Sequence, residues 1–380
     1  MDYFQPQLGY QETFLAKEHM KMGHEVFVVT SNRYDPLIYS SNKTLLERRI
    51  HEAGFFVEDG INVWRLKTLF ELPYEIWMRG LEKKLSELKP DIVIVHRIVK
   101  LESVRIAWLK KRRGNFKLIY DDHMSFDNST SILRILYPLF RWTFSRLIQG
   151  SADALVAVND AAKDFMVKRY GIPPELITVI PLGADDELFR FDEVARQQVR
   201  SQLNLNESDV VFIYTGKIVP QKRLPLLIEA VTLLKSHDNL RVLLVGSGPT
   251  NHIEVIKQDI RNAKLDNNFI WHDAVPNREL YKFYSASDVA VWPREASISQ
   301  REAMACSLPI IISEASMVTD LVNYENGLIC KEDDPSDLAR QMERLLDPEL
   351  RRIMGQNSRR FVEEKLSWKV SAKRFIELVS

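Results

Sequence analysis

The stretch VWPREASISQREAMACSLPIIIS, Val291 to Ser313, decides the fold. An apolar strand, Val289 to Trp292, stops at Pro293. A serine-rich loop follows, then a helix opening at Arg301-Glu302-Ala303-Met304-Ala305, then a second apolar strand, Ile310 to Ile312. Neither strand alternates apolar with polar residues. Continuous apolar runs suit strands covered on both faces, as in a parallel sheet flanked by helices. Ligands of such sheets collect at the C-terminal ends of the strands, where the serine-rich loop and the helix start both lie. Glu302, on the first turn of that helix, can accept hydrogen bonds from two vicinal hydroxyls such as those of a ribose. The backbone amides of Ser297 to Gln300 can meet a phosphate or sugar. The competing reading is a carboxylate that only complements the helix dipole.

The same alternation runs outward in both directions. Val210 to Thr215, Arg241 to Val245, Phe269 to Trp271 and Leu328 to Cys330 read as further strands. Leu224 to Lys235, His252 to Ala263 and Asn277 to Ala286 read as helices between them. Upstream, Val26 to Thr30, Ile92 to Val95, Leu118 to Tyr120, Ala154 to Val158 and Ile177 to Ile180 form a second set of strands. Thr13 to Met22, closed by Gly23, and Ile76 to Leu88 read as helices of that set. The polar run FRFDEVARQQVRSQLNLN, Phe189 to Asn206, separates the two. The expected organisation is an N-terminal domain over 1–188, a linker over 189–206, a C-terminal domain over 207–355, and C-terminal helices over 356–380 that cross back to the N-terminal domain. The fold class is α/β: two Rossmann-like, doubly wound domains facing across a cleft.

Composition excludes several functions. Lys plus Arg and Asp plus Glu number 52 each among 380 residues, so the global basic excess of a nucleic-acid binder is missing. The two cysteines, Cys306 and Cys330, lack metal-site spacing and suit a reducing cytoplasm. No apolar run is long enough for a transmembrane helix. Ser131 to Gln149 (SILRILYPLFRWTFSRLIQ) carries two readings. Arg134, Arg141 and Arg146 could meet anionic headgroups while Leu133, Phe140, Trp142 and Phe144 insert, giving a peripheral contact on the inner face of the cell membrane. Alternatively the segment is a helix packed on the first sheet, the favoured reading because Pro138 interrupts the pattern.

Other residues carry possible chemistry. Gly216, Lys217 and Lys222 follow the first strand of the second half, in IYTGKIVPQKRLPLLIEA. Glycine at a strand end lets a phosphate approach the backbone. Two lysines five positions apart could both reach one diphosphate and stabilise its departure. A solvated loop reads about equally well. Gly246, in Val245-Gly246-Ser247-Gly248-Pro249, sits at the next strand end, where a structural turn is the favoured reading. Asp121, Asp122 and His123 end a strand of the first half, and without further ligands they are poor grounds for a metal site.

These pieces, in this order, resemble the retaining glycosyltransferases of family four, which have the GT-B architecture (glycosyl transferases group one). In the second half the matching stretches are GKIVPQKRLPLLIEA, LRVLLVGSGP, WHDAVPNRELYKFYSASDVAVWP, EAMACSLPII and NGLIC. In the first half they are QPQLGYQETFLAKEHMKMGHEVFVVTSN, KPDIVIVH, YDDH, ADALVAVND and ITVIPLGADDELF. The resemblance covers nearly the whole chain. It implies transfer of a hexosyl unit, with retention and without a metal or cofactor, from a nucleotide-diphospho-sugar to a glycan, lipid-linked or small-molecule acceptor. Lys222 matches the diphosphate-binding lysine, and Lys217 replaces the usual arginine. Glu302 matches the ribose-holding glutamate, and Gly9 the glycine loop near the donor. His123 matches the histidine that reaches the transferred sugar from the first domain.

The chain also departs from that pattern. The family's paired glutamates are eight apart, but Arg294 stands eight before Glu302 and Glu295 only seven. Either Glu295 serves in a shortened loop, or Ser297 and Ser299 hold the sugar. Arg223 and Ser307 replace glycines, which suggests altered turns. Family members open with a central strand, for which Met1 to Phe4 leave no room, so a gap is expected beside Val26 to Thr30. Rival functions are a sugar-nucleotide epimerase of the same architecture and a catalytically degenerate homologue serving as a binding subunit.

Overall fold

The computed structural model describes residues 2–41, 46–72, 75–124, 126, 131–234, 238–294, 298–315 and 319–380. The chain forms two compact units, Met1–Leu182 with Ser371–Ser380, and Gly183–Val370.

In the first unit, β1 (Phe27–Ser31) pairs in parallel with β3 (Ile61–Leu66), which pairs antiparallel with β2 (Gly54–Glu58). β4 (Thr68–Leu72) and β5 (Glu75–Met78) form an antiparallel pair. β6 (Ile92–His96), β7 (Lys117–Asp122), β8 (Ala154–Ala157) and β9 (Ile177–Val179) form a parallel sheet in that order. The strands expected at Val26, Ile92, Leu118, Ala154 and Ile177 are all present, with small shifts at their ends.

Two features differ from expectation. Ile76 to Leu88 is not one helix. Ile76 and Met78 are buried while Trp77 turns outward and stacks on Phe70 at 5.9 Å, the alternation of a strand. The helix begins only at Leu81, after Gly80 at φ 79°. The second feature is the hairpin of β2 and β3. Its two-residue turn, Asp59-Gly60, has φ of 51° and 79°, the left-handed pair that Asp-Gly accommodates.

The expected gap is present. Among the described strands β1 pairs with β3 alone and β6 with β7 alone, so the parallel strands of this unit are divided between two sheets.

The second unit is undivided. β10 (Val210–Thr215), β11 (Leu240–Val245), β12 (Phe269–His272), β13 (Val289–Trp292), β14 (Ile310–Ser313) and β15 (Gly327–Cys330) form one parallel sheet in the order β12-β11-β10-β13-β14-β15. Every residue of β10, β13 and β14 is buried, and one continuous apolar cluster surrounds them. This is why those strands read as unbroken apolar runs. The polar run after Phe189 contains helix Glu193–Gln202, capped by Asp192, whose carboxylate accepts the Ala195 amide. The helix belongs to the second unit: Arg196 pairs with Asp288 at 2.9 Å, and Arg200 donates to the Ala286 carbonyl. At the other end of the chain, Ser371 and Arg374 donate to the carbonyls of Pro181 and Val179 within the first unit.

Ser131–Thr143 and Ser145–Gln149 are helices. Tyr137, Phe140 and Ile148 are buried in the first unit's core beside Phe165 and Tyr170, as the packing reading requires. Leu139 and Trp142 face outward, Trp142 with 84% exposure. The side chains of Leu133 and Arg134 lie outside the described residues. No helix among the described residues is long and apolar enough to cross a membrane.

Candidate functional site

Chemistry-bearing residues gather at the C-terminal ends of two adjacent strands, β10 and β13. Such strand ends are where open α/β sheets bind ligands. Helix Ser299–Ala305 begins shortly after β13 and carries Glu302 in its first turn. Glu302 is more enclosed than its sequence position suggests, at 4% exposure. Oε1 accepts a hydrogen bond from Asn277 Nδ2 at 2.8 Å, and Oε2 meets no described donor. Burial pushes its pKa up to about 7, Asn277 opposes the rise, and the charge of Asp185 adds to it. One oxygen is thus fixed and the other is able to accept, as a ribose hydroxyl would require. Asn277 was missed from sequence, because a lone asparagine at the start of a helix reads as an ordinary cap.

A buried network ties this helix to β10. Tyr284 and Thr215 share a hydroxyl–hydroxyl hydrogen bond of 2.8 Å, Tyr284 also bonds Ser299, and Trp292 Nε1 donates to the Thr215 carbonyl at 3.0 Å. Thr215 ends β10 and leads directly into Gly216. Tyr214 Oη then donates to the Lys217 carbonyl at 2.8 Å, holding the turn from below. Lys217 is exposed and Lys222 half-buried. Lys222 closes a short 3-10 turn opened by Pro220.

The glycines here have specific reasons. Gly216 adopts φ 141°. A Cβ on Gly246 would stand 2.0 Å from the Gly216 carbonyl oxygen, and one on Gly248 would stand 1.9 Å from that of Ile218. Ile218 N–H donates to the Ser247 carbonyl at 2.8 Å, which holds the two loops together. Gly246 therefore packs the neighbouring loop against the Gly216 turn, which supports the turn reading and is compatible with a binding role. Gly246→Ala is expected to cost roughly 1–3 kcal/mol of stability by overpacking, read as a lower urea midpoint at unchanged slope. An unaltered midpoint would show that the loops separate freely.

The glycine substitutions keep their turns. Arg223 has φ 54° and Ser307 φ 64°, both left-handed, so the turns a glycine would favour persist with side chains in place. Arg223 pairs with Asp333 at 3.0 Å, and Arg294 with Glu332 at 2.7 Å. Arg294 is thus engaged as a cation with acidic partners and cannot stand in for the family's first glutamate. Glu295 and Ser297 lie outside the described residues.

In the first unit, Gly9 adopts φ 64° after the 3-10 turn Pro6–Leu8. His123 Nε2 and His96 Nδ1 lie 3.1 and 2.9 Å from the same oxygen of Asp121, which is fully buried. Burial is the largest influence on His123 and lowers its pKa, but the charge and hydrogen bond of Asp121, with the charges of Asp122 and Glu12, together outweigh it and the net shift is upward. Asp121 is held well below the usual carboxylate range despite its burial, by its contacts with the two histidines. Asp122 takes another role, accepting the amides of Ile98 and Met124. His96, missed from sequence, joins Asp121 and His123 with ligand atoms all within 4.8 Å of one another. This donor set could take a cation, and the same spacing serves one carboxylate shared by two imidazole N–H donors.

Comparison with known proteins agrees with this architecture. A family model for Glycosyltransferase Family 4 matches residues 13–188, and one for Glycosyl transferases group 1 matches 195–361. A D-inositol 3-phosphate glycosyltransferase of Streptomyces bingchenggensis is 28% identical over 71% of this chain. That match spans 62% of the relative, under two thirds of its length. Among solved structures, a glycosyltransferase from Rickettsia africae superposes with TM-score 0.74 at 16% identity, covering 97% of this chain and 93% of its own. Anabaena Alr3699/HepE, solved in complex with UDP, superposes with TM-score 0.73 at 17% identity, covering 99% and 97%. With two α/β Rossmann-like domains and the two family matches in tandem, the chain belongs to the GT-B-fold glycosyltransferases of the GT1/GT4 superfamily.

Proposed function

We propose that this protein transfers a hexosyl unit from a nucleotide-diphospho-sugar to an acceptor, with retention of anomeric configuration and without a metal. The carrying observation is the buried Glu302 carboxylate, with one oxygen fixed by Asn277, at the strand ends that also present the Gly216–Lys222 turn. Glu302 is the acceptor for the ribose hydroxyls, and Ser299 lies in the same network. Lys217 and Lys222 face the diphosphate, with Gly216 and Gly246 keeping the backbone close to it. His123, oriented by Asp121, hydrogen-bonds the transferred sugar, and Gly9 lies near the donor phosphates. The names of the similar proteins support this reading, since they include sugar transferases and a UDP complex.

In the proposed step the bond from the anomeric carbon to the phosphate oxygen breaks. The acceptor oxygen bonds that carbon on the same face, and its proton passes to the departing phosphate. The lysine charges stabilise the diphosphate as it gains negative charge, which supplies the role a metal would otherwise play. A lipid-linked acceptor, with Trp142 at a membrane surface, is one form of this proposal.

The test is a thermal-shift screen of nucleotide sugars, since a ligand specific for the native state raises apparent stability. Acceptor-dependent release of nucleoside diphosphate follows, in the presence and absence of EDTA. Release only with acceptor, unaffected by EDTA, and an unchanged anomeric configuration by NMR are expected. Turnover of the nucleotide sugar without any acceptor would favour an epimerase. Binding with no turnover across a broad acceptor panel would favour a binding subunit.

A further inference from the structure

Two parallel strands of the first unit end on a cluster of donor atoms. His96 closes β6, and Asp121 stands beside it on β7, the two being partners in the strand ladder. His123 follows β7 directly. Asp121 Oδ2 lies 2.9 Å from His96 Nδ1 and 3.1 Å from His123 Nε2, and the three ligand atoms fall within 4.8 Å of one another. The backbone holds this arrangement in place. Arg97, next to His96, adopts φ 75°, and its amide donates to the Asp121 carbonyl at 2.7 Å. A left-handed arginine is strained, and such residues persist where the surroundings over-determine them, often at functional sites. On the other side, Asp122 accepts the amides of Ile98 and Met124, fixing the turn that carries His123.

The charge of this cluster is unbalanced. Asp121 is fully buried, and among the described residues its ion pairs are with these two imidazoles alone. Its second oxygen, Oδ1, meets no described donor. Asp122, equally buried, adds another carboxylate. A buried carboxylate is costly unless a positive charge stands against it, and neutral imidazoles provide none. A proton on an imidazole can supply that charge, and so can a divalent cation held by all three donors. The donor chemistry suits the cation. Two imidazoles and a carboxylate are one of the three-ligand sets of open zinc sites, and imidazole selects transition ions over the hard cations Mg²⁺ and Ca²⁺. Tetrahedral zinc keeps its ligand atoms roughly 3.3 Å apart, so the present separations need to widen by only a few tenths of an ångström. The side chains of His96 and His123 keep 17% and 36% exposure, which leaves an entry path and room for a fourth ligand.

We propose that His96, Asp121 and His123 form a binding site for a divalent transition-metal ion, Zn²⁺ being the fitting member, and that the bound ion inhibits transfer. His96 binds through Nδ1, Asp121 through Oδ2 and His123 through Nε2, and water takes the fourth position. Each imidazole then carries its proton on its other ring nitrogen, so neutral rings bind the ion without losing a proton. The inhibitory part rests on the function proposed above, in which His123 hydrogen-bonds the transferred sugar. The ion replaces the hydrogen bond by which Asp121 orients that ring, and its bound water takes the space beside it. The metal-free chain is thus the transferring form, and the ion opposes the reaction rather than taking part in it.

The test uses the full chain freed of metal by chelation and dialysis. Zn²⁺ is titrated in competition with a chromophoric chelator, and Co²⁺ is added separately as a spectroscopic probe. One Zn²⁺ per chain is expected, undisturbed by excess Mg²⁺, together with the strong visible absorption of a tetrahedral Co²⁺ centre. His96→Asn and Asp121→Asn should each weaken binding by more than the roughly 10–100-fold that outer-shell partners are worth, with circular dichroism checking that each variant is folded. His96 is partly exposed, so its variant decides the matter even where Asp121→Asn does not fold. No binding by the wild type, or equal binding by His96→Asn, would overturn the site. Transfer is then followed against added zinc. Inhibition that tracks occupancy in the wild type, and that needs correspondingly more zinc in His96→Asn, is expected. Full-rate transfer by the zinc-loaded chain would overturn the inhibitory role. Zinc binding by a chain without any transfer activity would uphold the site and count against the proposed function, so the two failures are told apart.

Discussion

Replacing Glu302 by alanine is expected to weaken nucleotide-sugar binding by about 1.5–3 kcal/mol, the worth of a hydrogen bond to a charged group, and to bring transfer close to background. The expectation follows from the carboxylate's setting. It is buried, Asn277 satisfies Oε1, and Oε2 has no described donor. A ribose diol can supply O–H donors there, and the ionised carboxylate accepts them best. Affinity should therefore rise with pH through about 7, the value to which burial pushes this group. Stability should move the opposite way. The folded state holds a proton that the unfolded chain releases near 4.5, so the contribution is present below that pH and is lost as pH rises toward about 7. The loss amounts to about 3 kcal/mol across the window. Glu302→Gln should be free of it, and its stability should vary less over the same range. Calorimetry with the nucleotide sugar checks the first claim, and urea unfolding of wild type and Glu302→Gln at several pH values checks the second. Unchanged donor affinity in Glu302→Ala would remove the ribose role.

How far these features could be read from sequence depends on burial. The second unit's strands were legible because a parallel sheet with helices on both faces demands continuous apolar runs, and β10, β13 and β14 supply them. The β2–β3 hairpin was missed because β2 is largely exposed, so its residues carry little apolar patterning. Its Asp59-Gly60 turn was the available signal. Ile76 to Leu88 was misread because Ile76, Leu81, Leu85 and Leu88 also fit a helical face, and Gly80, which ends the strand, counted for too little. The strand-end positions of Glu302 and of the Lys217–Lys222 turn were legible. Asn277 and His96 were not, since each gains meaning only from a residue 25 positions away. Gly246 was assigned to the right turn, but the Gly216 oxygen that excludes a side chain there belongs to a different loop.

Lys222→Ala is expected to lower kcat about a hundredfold while leaving donor Kd within about threefold. Removing one preorganised charge at a site of developing negative charge typically costs this much in turnover. The bound donor already carries its phosphate charges, and solvent and Lys217 can share in balancing them. Departure concentrates new charge on the phosphate oxygen that leaves the sugar, and that charge is what a fixed cation stabilises selectively. Lys222 is suited to this by its support. Pro220 opens the turn, the Lys222 amide donates to the Val219 carbonyl at 3.0 Å, and left-handed Arg223 closes it. Lys217, exposed on the same loop, is held mainly through its backbone and should matter less. Lys222→Arg keeps the charge and should restore part of the turnover, whereas Lys222→Met, similar in length but neutral, should behave like alanine. A structural role would give a different pattern: arginine and methionine would fail or succeed together, and Tm would follow activity. Donor titration by calorimetry alongside single-turnover rates separates the two. Equal losses in binding and turnover for Lys222→Ala would place its charge on the ground-state diphosphate, and the selective stabilisation of the departing phosphate would then have to come from Lys217.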